Sequence, residues 1–233
     1  IIVHSSNNTI AAIIIKANKN YGIMFNVSSD YNDVSGNSVA NSSCGIKLVY
    51  SSYNSIVSNN ITENKDSGIG LYNSSIHNDI IRNNIKNNKE GIHLADSSNN
   101  SIYYNDFERN TNQVYIINSV NIWDNGYPSG GNYWSDFNGT DLYNGPYQNI
   151  TGGDRIGDTP YIINSDNRDR YPQVRPSEGG FDWLWAATIG ITVSFLAIAA
   201  VFVFIIWRSK RRRRVHGPPP SQPVQSPSSL SLV

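Results

Sequence analysis

The chain is 233 residues long, and its 18 Lys and Arg balance its 18 Asp and Glu, so total charge excludes nothing until it is divided along the sequence. Residues 1–182 hold all 18 acids against 12 bases, whereas the last 51 residues hold six bases and no acid, which implies two different environments. The single cysteine, Cys44, excludes an intrachain disulfide scaffold and a thiolate-rich zinc site, and is read as a small buried residue.

From the start, the chain repeats. Gly22-Ile-Met-Phe, Gly45-Ile-Lys-Leu, Gly68-Ile-Gly-Leu and Gly91-Ile-His-Leu follow one another at 23-residue spacing. In each, the second and fourth residues are apolar and share one face of a strand, because strand side chains alternate. Two more apolar anchors recur per unit: Ile10, Val34, Ile56, Ile80 and Ile102, then Ile15, Val39, Ile61, Ile85 and Phe107. Three short strands per unit follow. Period two rather than 3.6 argues against helical repeats, and the scarcity of Leu argues against a leucine-rich repeat.

Asparagine keeps the same beat. Asn8, Asn32, Asn54, Asn78 and Asn100 stand two residues before the first anchor series, and Asn37, Asn59, Asn83 and Asn105 before the second. A side chain two residues from a buried anchor shares its face, so these amides are predicted to point inward at the corners and stack coil upon coil. A unit of this length cannot bury its faces alone. The fold class is therefore all-β, a right-handed parallel β-helix over residues 1–123, each coil adding about 4.8 Å. Because Ile1-Ile2-Val3 aligns with Ile23-Met24-Phe25, the sequence is expected to start inside a strand, as an amino-terminally truncated piece with further coils and an export signal upstream.

All ten prolines lie at or beyond Pro128, so a hydrogen-bonded repeat gives way to irregular structure. Residues 124–176, rich in aromatics and Gly, are read as a cap on the solenoid's end, and 177–182 as a linker. Trp183 to Trp207 is a 25-residue run without charge. As a helix it would reach about 37 Å, against a hydrocarbon core of about 30 Å, and is read as a transmembrane helix. The basic run Arg208–Arg214 fixes the following side as cytoplasmic and is not read as a nucleic-acid patch. The reading is a single-pass protein of the cell membrane, with the β-helix outside and residues 208–233 as a basic, Pro/Ser-rich cytoplasmic tail.

The repeats, together with Gly130-Gly-Asn-Tyr-Trp-Ser-Asp136 and Gly153-Asp-Arg-Ile-Gly-Asp-Thr-Pro-Tyr161, resemble the NosD-like family of right-handed β-helix proteins, especially archaeal cell-surface members, over residues 1–175. The resemblance implies an exported protein, and the family carries a periplasmic copper-binding label. This chain departs from that label: one Met, one Cys and scattered His4, His77, His93 and His216 form no soft-ligand cluster, so copper is not expected.

Polysaccharide-cutting β-helices need two carboxylates on an outer wall. The outward columns Met24, Lys47, Gly70, His93 and Asn26, Val49, Tyr72, Ala95 hold none, so no catalytic residue is assigned. Candidate ligand-binding residues are the tyrosines Tyr50, Tyr53, Tyr72, Tyr103 and Tyr104, for glycans or neighbouring surface proteins. Candidate calcium ligands are the hard oxygens of Asp136, Asp141, Asp154, Asp158, Asp166 and Asp169, although no standard calcium-loop spacing is met. The expected function is a structural, adhesive or carbohydrate-binding surface protein. Its alternatives are a polysaccharide-active enzyme with its site in upstream coils and a copper-site maturation accessory.

Overall fold

The computed structural model describes residues 1–177. The predicted membrane helix 183–207 and the basic tail lie outside them. Among the described residues no helix is long and apolar enough to cross a membrane.

Because each Gly-led unit offers three alternating segments, successive units stack strand on strand into three walls. The first wall comprises six parallel strands, Ile2–Val3, Tyr21–Asn26, Cys44–Val49, Ser67–Tyr72, Glu90–Ala95 and Asn112–Ile117. A second wall has five strands, from Thr9–Ala11 to Ser101–Tyr103. The third has six, from Ile14–Lys16 to Asp106–Glu108 and then Tyr133–Trp134. Ile23, Ile46, Ile69 and Ile92 pair in register, as do Phe25, Leu48, Leu71 and Leu94. These, with the second- and third-wall anchors from Val34 to Phe107, are fully buried and form one continuous core. This is a parallel β-helix of about six turns.

The leading glycines have a steric cause that periodicity alone does not disclose. A Cβ on Gly22, Gly45, Gly68 or Gly91 would stand 2.5 to 2.7 Å from a carbonyl oxygen of the next coil. The coils touch there, backbone against backbone. Gly68→Ala is therefore expected to force coils apart and destabilise by about 2 kcal/mol, as overpacking of a filled core does. A urea titration of that variant, matching the wild-type midpoint, would refute the close-contact account.

The inward amides form ladders. In each, an Asn backbone N–H and side-chain NH2 both donate to the Oδ1 of the Asn one coil on, at 2.8 to 3.1 Å along Asn8, Asn32, Asn54, Asn78 and Asn100. The series Asn37, Asn59, Asn83 and Asn105 is linked in the same way. Two further ladders went unnoticed in the sequence. One runs from Ser42 through Asn64 and Asn88 to Asn110, three residues beyond the third-wall anchors. The other joins Ser29, Ser51, Ser75, Ser97 and Ser119 by N–H to hydroxyl bonds. Corners bury backbone donors that no strand partner reaches, and the ladders satisfy them.

The last coil closes with residues from the segment read as a cap. Asn112–Ile117 continues the first wall, Ile122 bridges Ser101, and Trp134 stacks on Phe107 at 4.4 Å in the third wall. Residues 164–171 then finish two of the ladders. Asn121 donates its N–H to Asn167 Oδ1 at 3.0 Å, and Asn132 donates its N–H to Asp169 Oδ2 at 2.7 Å. Arg170 turns away to a bidentate pair with Asp124, at 3.0 and 2.7 Å, that fastens this segment to the residues before it. Burial alone would raise the Asp124 carboxyl, but the hydrogen bonds from Arg170 hold it below its usual value.

Candidate functional site: the tyrosine-bearing corner

Between the first and second walls the chain turns sharply, and residues at this corner take left-handed backbone angles. One column along it reads Asn7, Tyr31, Tyr53, His77 and Asn99, with φ between 55° and 60°. Asn and His tolerate this region, whereas Tyr does so at a cost of order 1 kcal/mol. Three coils therefore carry an aromatic ring where the flanking coils carry Asn. The rings stack: Tyr31 on Tyr53 at 5.0 Å and 6°, Tyr53 on His77 at 5.2 Å and 20°. Tyr50, three residues before Tyr53, lies on the same corner with φ 49°. Tyr31, Tyr50 and Tyr53 are 59%, 53% and 49% exposed. Asn73, Asp96 and Asn118 follow on later turns of this corner, with Asn118 donating to Asp96 at 3.1 Å. The arrangement offers aromatic edges, one unstacked ring and a row of polar groups.

The five tyrosines singled out in the sequence thus fall in three places. Tyr50 and Tyr53 share the corner. Tyr72 lies on the outer face of the first wall, where Lys47 Nζ sits 4.5 Å over its ring and 4.9 Å over Tyr21. His93 packs against Tyr72 at 5.0 Å and Tyr115 at 4.8 Å. Burial pushes the Tyr72 hydroxyl up to about 12. Tyr103, the last residue of its second-wall strand, and Tyr104 meet edge to face at 5.1 Å, with Arg82 over Tyr104 at 5.1 Å. Tyr31 and His77 were missed, although their separations of 22 and 24 residues from Tyr53 match the asparagine beat.

The outer first wall holds a carboxylate just outside the two columns inspected in the sequence. The preceding column pairs Tyr21, Cys44, Ser67, Glu90 and Asn112, and Glu90 Oε2 lies 2.8 Å from His93 Nδ1. One carboxylate on a histidine is not the pair of acids that glycoside cleavage uses. Cys44 stands buried in this column, its Sγ accepting from Ser67 at 3.1 Å, and burial pushes its thiol up to about 11, which leaves it unreactive.

The six candidate calcium ligands are each engaged locally. Asp136 accepts from Tyr161 at 3.2 Å. Asp141 accepts the N–H groups of Asp154 and Arg155 at 2.9 and 3.0 Å. Asp154 accepts the N–H of Ile156 at 3.0 Å. Asp158 accepts from the Leu142 and Tyr143 N–H groups and the Thr140 hydroxyl, and these bonds hold its carboxyl below the usual value despite the opposing desolvation. Asp166 accepts from Ser165, and Asp169 ends a ladder. Among the described residues no group of three or more His, Cys, Asp or Glu could hold a metal ion.

Coil and corner ladders define a parallel β-helix repeat protein. Residues 1–139 match the family model described as "Periplasmic copper-binding protein (NosD)", and the chain belongs to that family. No curated protein and no solved structure gave a significant match. Among the described residues the soft donors do not suit copper. Cys44 is a buried, hydrogen-bonded thiol, His77 is stacked on Tyr53, His93 Nδ1 faces Glu90, and Met24 stands in the column of His93 but three coils away.

Proposed function

We propose that the chain is an exported β-helix protein, held at a membrane by residues 183–207, whose tyrosine-bearing corner binds glycan chains. The observation that carries this is the aromatic column Tyr31, Tyr53, His77 in a backbone conformation that favours Asn. Stacking between the rings recovers about 1 kcal/mol per pair, which offsets the strain without giving a reason to place rings there. Tyr50 and the ring edges supply apolar contact for sugar C–H groups, and Asn73, Asp96 and Asn118 supply partners for hydroxyls. The family's description supports a place outside the cytoplasm.

A glycan array probed with the protein, with and without calcium, tests the reading. Saturable binding is expected, falling at least tenfold in the Tyr31→Ala/Tyr50→Ala double variant, a loss of about 1.4 kcal/mol. Binding unchanged by that variant would move the site elsewhere, and binding only with calcium would give the loop carboxylates Asp141, Asp154 and Asp158 a ligand role. A copper-site accessory role is favoured by the family description alone, and stoichiometric copper retained through dialysis would support it.

A further inference from the structure

We infer that the hairpin over residues 142–153 is a membrane-contacting plate that sets the β-helix against the lipid surface. It rests on the reading of 183–207 as a bilayer span. Tyr143–Asn144 pairs antiparallel with Ile150–Thr151, and the whole run from Leu142 to Gly153 has no charged side chain. Its large side chains point outward: Leu142 is 61%, Tyr147 83% and Ile150 58% exposed. With Tyr143, 41% exposed, the hairpin gathers four such side chains on one uncharged run. The hairpin is also pinned. Gly145 donates its N–H to Tyr127 Oη at 3.2 Å, and Tyr171 Oη donates to the Pro146 carbonyl at 3.1 Å. Asp141 grips its base through the Asp154 and Arg155 N–H groups. A fixed, uncharged surface bearing Leu, Ile and two Tyr suits the headgroup boundary, where Tyr buries its ring and keeps its hydroxyl wet.

Where the chain leaves the fold selects lipid as the occupant. Val174 donates its N–H to the Arg155 carbonyl at 3.2 Å, beside the hairpin base. Three residues later Ser177 is tied to Asp106 by its N–H at 3.0 Å and by its hydroxyl. From Ser177 to Trp183 the backbone spans at most about 20 Å, so a bilayer-spanning 183–207 keeps this exit within that distance of the membrane surface. Val174, bonded beside the hairpin base, lies only three residues before this exit.

The full chain, reconstituted in phosphatidylcholine vesicles, carries an environment-sensitive fluorophore on Tyr147→Cys or, as a control on a coil corner, on Val120→Cys. Cys44 is buried and escapes labelling. The expected result is a blue-shifted position-147 probe, quenched severalfold more by lipid-borne nitroxide than the position-120 probe. Equal, water-like emission from both probes, with the chain still resisting carbonate extraction, overturns the hairpin contact and leaves the anchor standing. A lipid-quenched position-147 probe on a chain that carbonate does extract supports the hairpin contact and removes the anchor. A blue shift that depends on protein concentration and needs no vesicles overturns it in favour of a second copy.

Discussion

Asn83→Ala is expected to destabilise the β-helix by about 4 kcal/mol, as much as a large truncation in an apolar core, because two buried groups lose their partners at about 1 to 3 kcal/mol each. Asn83 Oδ1 accepts both the N–H and the side-chain amide of Asn59, at 2.9 and 3.0 Å. Its own amide donates to the Ile56 carbonyl at 2.8 Å and to Asn105 Oδ1 at 3.0 Å. Alanine leaves the Asn59 N–H and the Ile56 carbonyl facing a buried space without these partners. Lys89→Ala, on an exposed side chain, serves as the control. Urea titration followed by circular dichroism checks the difference, and hydrogen exchange resolves whether opening stays within the neighbouring coils, as nearest-neighbour coupling requires. A midpoint shift no larger than that of the control would sink the ladder account.

That the coil was readable and the site was not follows from what each depends on. The register of Ile46, Ile69 and Ile92 is a local pattern: period two makes the face, and fixed spacing stacks it. Asn32, Asn54 and Asn78 declare themselves because a stacked amide must recur at every turn. The ladder through Asn64, Asn88 and Asn110 was equally legible, but Ser42 interrupts the run of identical residues. The capped end is a different case. Asp169 completes a ladder with Asn132 across 37 residues of sequence, a distance set by tertiary folding rather than by period. Asp141 and Asp158 cap loop backbone, and in sequence a carboxylate that caps a turn looks the same as one that holds an ion. Glu90 was passed over because the wall's outer face begins one column earlier than the Gly-Ile frame suggests.

Asp169 makes the stability of the capped end depend on pH, in the direction opposite to ordinary acid denaturation. Its carboxylate is fully buried and accepts from the Asn132 N–H at 2.7 Å, the Trp134 indole at 2.9 Å and the Tyr171 N–H at 3.1 Å. Gly131 packs so close that a Cβ there would meet Asp169 Oδ1 at 1.9 Å, so backbone covers the carboxylate on that side. Arg170, its neighbour, is committed to Asp124, and among the described residues Asp169 has no ion pair. Burial therefore dominates over the three donors and pushes the carboxyl from 3.8 up to about 7. Since the folded form binds the proton more tightly than the unfolded form, its contribution is full below about pH 4 and is lost as pH rises to about 7. A shift of that size corresponds to at most about 4 kcal/mol. Asp124, held low by Arg170, works the other way but only as pH falls into its own range, so the interval from pH 5 to 8 reports mainly on Asp169, reinforced by Asp106, which burial also raises. Melting temperature is expected to rise from pH 8 to pH 5, with Trp134 fluorescence titrating alongside because its indole donates to the ionising group. Asp169→Asn keeps one acceptor oxygen for Asn132 and Trp134, removes the buried charge, and is expected to flatten both profiles. If the variant keeps the wild-type slope, the proton is being taken up elsewhere, and the ladder's last rung is an ordinary carboxylate.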